Sequence, residues 1–150
     1  LLAVLVQIIS GLLLFKKVRK ESVSFFDKLH IYSGLYLAIF LIIHVSAVLG
    51  GRLILKLDTN FYFGVAGINT FPFSLFFIPY YGLAVFSFFG HIAAIHSRKM
   101  QKSVFGVSPV SQSKIILITS FVFIILIFYG ATNGFQGVNI PKEYKVLVGN

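Results

Sequence analysis

The sequence predicts an all-α integral membrane protein, a bundle of four transmembrane helices. Three observations lead there. The chain has 150 residues, of which 57% are hydrophobic and only 11% charged, against about 25% charged in an ordinary soluble domain. The apolar residues come in long blocks and not as a stripe of period 3.6, which describes helices that face lipid all round. The basic residues collect at the ends of those blocks, where membrane topology places them.

The blocks are taken in chain order. The first covers residues 1–15. It falls short of the ~20 residues that a span needs, so a span cut short at its start is expected, with further residues upstream of Leu1. It lacks a basic leading region and a small-residue cleavage site, which argues against a signal peptide. The second, third and fourth blocks cover about 29–50, 73–94 and 115–131. The loop after the first block carries Lys16, Lys17, Arg19, Lys20 and Lys28; the loop after the third carries Arg98, Lys99, Lys102 and Lys114. Only Arg52, Lys56, Lys142 and Lys145 lie on the other side. The bias of basic residues therefore predicts that loops 16–28 and 97–114 are cytoplasmic and that both termini are outside. The outer segment 51–72 is too aromatic for a free loop and is expected to lie along the membrane surface or to fold over the helices.

Composition narrows the function classes. A net charge of +9 would suit nucleic acid, but these charges sit at block ends, so the partner they imply is the lipid bilayer and not a nucleic acid. The absence of cysteine excludes disulfides, iron–sulfur clusters and thiolate zinc sites. No carboxylate lies inside a block: Asp27 and Asp58 stand at boundaries, Glu21 and Glu143 in loops. A carboxylate proton relay or cation path is thereby disfavoured. No glycine-rich phosphate loop or flavin motif occurs, so a catalytic partner would be another protein subunit.

Four histidines remain, His30, His44, His91 and His96. Ionisable side chains in spans are costly and usually face the interior, which makes them functional candidates and candidate metal ligands. His30 and His44 are fourteen positions apart, hence about 40° from each other around one helix. Ser33 and Gly34 are small residues on or near that face. His91 follows Ala84 and Ser87, while His96 lies about 140° further round. Taking Lys28 and Arg98 as the inner edges, His30 and His96 lie ~3 Å deep, His91 ~10 Å and His44 ~24 Å. His44 and His91 are then too far apart in depth to share one ligand, whereas His30 and His91 are compatible. A wholly structural role, hydrogen bonding between helices, stands beside a cofactor role for each of them.

Lys28-Leu29-His30-Ile31-Tyr32-Ser33-Gly34 resembles the His-Arg-x-Ser/Thr-Gly motif that opens the first membrane helix of succinate dehydrogenase cytochrome b subunits, with Ile31 in the place of the arginine. Phe89-Gly90-His91-Ile92-Ala93-Ala94-Ile95-His96-Ser97-Arg98 resembles the haem-ligand segment of the same family. The His30, Gly34 and His44 spacing is similar to that of ferric-reductase-like membrane domains. These resemblances cover residues 28–98. They imply a b-type haem held by His91 and His30, with Ser33 and Gly34 beside it, in an electron-transfer subunit or the membrane anchor of a redox complex. Quinone is a further partner implied by the first resemblance. The rival expectations are a non-enzymatic accessory or assembly protein with structural histidines, and an oligomeric transporter subunit.

Overall fold

A computed structural model describes residues 6, 8–11, 13, 15 and 24–149. The fold is all-α. Its elements are α1 (Phe25–Leu53), α2 (Phe61–Val65), α3 (Ser74–Lys99), α4 (Pro109–Ala131) and a closing 3-10 helix, η1 (Lys142–Val148). Three of these, α1, α3 and α4, are long and apolar enough to cross a membrane. Their 29, 26 and 23 residues correspond to ~44, ~39 and ~35 Å, against a hydrocarbon core of ~30 Å. The span expected over 1–15 falls largely outside the described residues. Within it, residues 6, 8–11, 13 and 15 are helical.

The helices overrun the apolar blocks because local chemistry sets their ends. Ser24 Oγ accepts from the Asp27 backbone N–H at 3.1 Å, and Asp27 accepts in return from the Ser24 N–H at 3.2 Å. This reciprocal box satisfies two orphan donors and starts α1 four residues before the apolar run. Ser108 Oγ accepts from the Ser111 N–H, with Pro109 as the first helical residue of α4. Proline suits that position because its missing N–H would be unpaired there anyway. Asn60 caps α2 by accepting from the Tyr62 N–H at 3.0 Å. Pro79 sits inside α3, where it withdraws one rung from the hydrogen-bond ladder.

The chain divides into two compact units, Leu1–Phe40 with Leu83–Val122, and Leu41–Gly82 with Phe123–Asn150. In the first, most of the buried positions are small, Ser33, Ala84, Ser87, Ala93, Ala94, Ser113 and Ser120, with Ile8 and Ile31 the larger exceptions. Lipid offers no hydrophobic drive for helices to associate, so close backbone approach through small residues has to provide the contact. Gly90 shows this directly, since a Cβ there would stand 3.2 Å from Leu29 Cδ1. On the α4 side, Phe86 packs on Phe121 with ring centroids 5.7 Å apart. Arg98 donates through Nε and a terminal nitrogen to Asp27 Oδ1, tying the end of α3 to the start of α1.

In the second unit the aromatic segment 51–72 folds into α2 and successive turns. Val65, Ala66 and Ile68 are buried, while Phe71 is 79% exposed. Phe63 lies directly over Gly51 and Phe77 over Gly67, both too close to admit a Cβ. Tyr62 meets Tyr144 of η1. Asn69 is the tie of this unit. Its amide donates to the Val65 and Ala131 carbonyls at 3.0 and 2.9 Å, and its oxygen accepts from the Val138 N–H at 2.9 Å.

Candidate functional site

His30 and His91 come together in the first unit. α1 presents His30 one turn before Ser33 and Gly34, and α3 presents His91 next to the buried glycine at 90. The two imidazoles stack with ring centroids 4.4 Å apart and planes 27° from parallel. Ser33, 4% exposed, donates its hydroxyl proton to the His30 carbonyl at 3.2 Å. The same hydroxyl oxygen lies 3.3 Å from His91 Nδ1, a bond whose donor is set by the tautomer of the ring. Gly34 completes the seat: a Cβ there would stand 3.2 Å from His91 Cε1.

The arrangement can be tested against a haem. The donor chemistry is suitable, because two imidazoles from neighbouring helices are a common axial pair. An imidazole–metal bond is ~2 Å long, so two axial rings would hold their centroids ~6 Å apart with the metal between their nitrogens. Here the rings are in face contact at 4.4 Å. The space beside Ser33 and Gly34, expected to take a flat macrocycle, is filled by the His91 ring itself. As the rings stand, a macrocycle does not fit between them. Among the described residues, no three His, Cys, Asp or Glu side chains cluster closely enough to hold a metal ion.

The other two histidines have different settings. His96 Nε2 pairs with Gln112 Oε1 at 2.9 Å, linking the end of α3 to the first turns of α4. His44 lies in the second unit with its ring edge-on to Tyr81, centroids 6.2 Å apart. Thr119 and Ser120, which reach about the depth of His91 by residue count, instead donate to their own helix carbonyls at Ile115 and Leu117. Ile31, in the place of the arginine of the resembling motif, is 8% exposed and packs as an apolar residue. Two features escaped sequence reasoning. Gln112 is an unremarkable polar residue at a helix start, and nothing in the chain marks it as a partner of His96. The Ser24–Asp27 box was legible as a Ser-x-x-Asp spacing before an apolar run. No family model, curated protein or solved structure matches this chain.

Proposed function

We propose that this chain is a non-catalytic membrane anchor or accessory subunit, in which His30, Ser33 and His91 form a polar clamp between two spans. The observation that carries this reading is the ring contact at 4.4 Å. Ser33 joins the His30 carbonyl and His91 Nδ1, and hydrogen bonding across helices is what such residues do in lipid. In the apolar stretches of α1 and α4 only 6% of the residues are fully buried. That surface is available to lipid and to a second polypeptide.

One observation favours a second reading, the b-type haem electron-transfer subunit. The Ser33 bond to His91 Nδ1 is the kind of outer contact that orients a ligating histidine and leaves Nε2 for the metal. That reading requires the rings to part from 4.4 Å to ~6 Å.

A visible absorption spectrum of protein produced with ample haem supply separates the two. The clamp reading expects a colourless protein whose His91→Ala variant loses stability. A Soret band with α and β bands that sharpen on dithionite reduction, abolished by His91→Ala, would overturn the clamp and establish the second reading.

A further inference from the structure

Nine residues, at positions 100 to 108, join the end of α3 to the start of α4. Within them Val104 and Val107 exchange two backbone hydrogen bonds, at 3.2 and 2.9 Å. The two residues between, Phe105 and Gly106, have φ of +50° and +76°. This is the smallest hairpin turn, with both central residues left-handed. Glycine adopts that conformation freely, and asparagine or glycine would serve at the first central position too. A bulky residue there is a true outlier. The side chain held in this unfavourable backbone is also completely uncovered: Phe105 is 100% exposed.

The turn is braced from both sides. Gln112 Nε2 donates to the Val107 carbonyl at 2.7 Å and to the Lys102 carbonyl at 3.4 Å, while Gln112 Oε1 pairs with His96. The surroundings are cationic. Lys99, Lys102 and Lys114 flank the turn, Arg98 is paired with Asp27, and no acidic residue occurs from position 98 to position 142. A loop this short between two spans stays close to the bilayer. Phe105 is four residues from Pro109, at most ~14 Å of chain, and the headgroup layer is about 5–8 Å thick on each side.

We infer that the 104–107 turn is an interfacial anchor, which inserts Phe105 into the boundary between headgroups and acyl chains of an anionic leaflet while Lys99 and Lys102 engage lipid phosphates. Apolar insertion and electrostatic attraction to anionic lipid are the two terms that hold a segment at an interface. The turn holds an uncovered phenylalanine beside these lysines, at the end where α3 closes and α4 begins.

The chain contains no tryptophan and no cysteine, so a single probe can report on the turn. The full-length Phe105→Trp variant, reconstituted in phosphatidylcholine–phosphatidylglycerol vesicles, should show blue-shifted emission and quenching by lipids brominated near the headgroup end of the chains. Acrylamide, a neutral quencher present on both sides of the bilayer, should quench it several-fold less than free indole. Protection should fall in pure phosphatidylcholine and in the Lys99→Gln, Lys102→Gln background. A Phe105→Cys variant carrying an environment-sensitive fluorophore repeats the measurement if tryptophan disturbs the turn. Quenching by acrylamide equal to that of free indole in the anionic vesicles, as for a turn that awaits a protein partner, overturns the inference. Equal protection in pure phosphatidylcholine overturns the assignment to anionic lipid.

Discussion

The seat of His91 against α1 makes Gly34 the most informative single position. A Cβ at residue 34 would stand 3.2 Å from His91 Cε1 and 3.4 Å from Nδ1, inside the ~3.5–4.0 Å at which carbon atoms ordinarily meet. Gly34→Ala therefore requires the ring to retreat by a few tenths of an ångström. It is held in place by the stacked His30 ring and by the bond to Ser33. Overpacking of this kind costs about 1–3 kcal/mol. Alanine in place of glycine within a helix returns at most about 1 kcal/mol. The variant should be destabilised by about 0–2 kcal/mol as the difference of those terms. Gly50, in the same helix, has nothing within 4 Å of its Cβ position. Gly50→Ala should accordingly gain the propensity term alone, up to about 1 kcal/mol. In a His91→Ala background the obstacle is gone, so Gly34→Ala should become stabilising, with a coupling of about 1–3 kcal/mol between the two sites. Equilibrium unfolding in mixed detergent micelles, followed by circular dichroism over an SDS titration, measures all four variants. If Gly34→Ala stabilises as much as Gly50→Ala and shows no coupling to residue 91, the ring is not seated there and the clamp reading fails.

Asn69→Ala removes three hydrogen bonds that join α2, the end of α4 and the segment after it; at about 1 kcal/mol each, a loss of roughly 2–4 kcal/mol should appear in the same titration. Asp27→Asn breaks the ion pair with Arg98 but keeps an oxygen for the Ser24 cap. It should lower the unfolding midpoint slightly, an effect that fades in high salt, whereas Asp27→Ala should lower it further through loss of the cap. For sidedness, a cysteine at Ser103 should resist an impermeant thiol reagent in intact cells and one at Asn139 should react, as the excess of basic residues beside the 97–114 loop requires. The reverse labelling pattern would invert the orientation.

The sequence by itself determined the all-α class and the three described helices long and apolar enough to cross a membrane, because both follow from local solvation. A segment in lipid has to satisfy its own backbone polar groups, so a sufficiently long apolar block can only be a helix. The starts of α1 and α4 were missed, because an apolar boundary places them four to six residues too deep; the local signals that mark them are the Ser24–Asp27 spacing and the Ser108–Pro109 pair. Residue counting also brought His30 and His91 to compatible depths. It could not decide whether their rings face a common ligand or one another. That depends on the rotation and tilt of each helix, and a single residue of phase turns a side chain by ~100°. Those angles are set where small residues let α1 and α3 meet, at Ser33 and Gly34 against His91 and at Gly90 against Leu29. The same reasoning accounts for Asn69, whose partners at Ala131 and Val138 lie more than sixty residues along the chain. It accounts for Phe105 too, where a phenylalanine occupies a turn position whose usual residues, asparagine and glycine, would have announced the hairpin. Helix formation and insertion are decided within one segment, whereas side-chain pairing is decided by packing between segments, and only the tertiary structure contains that information.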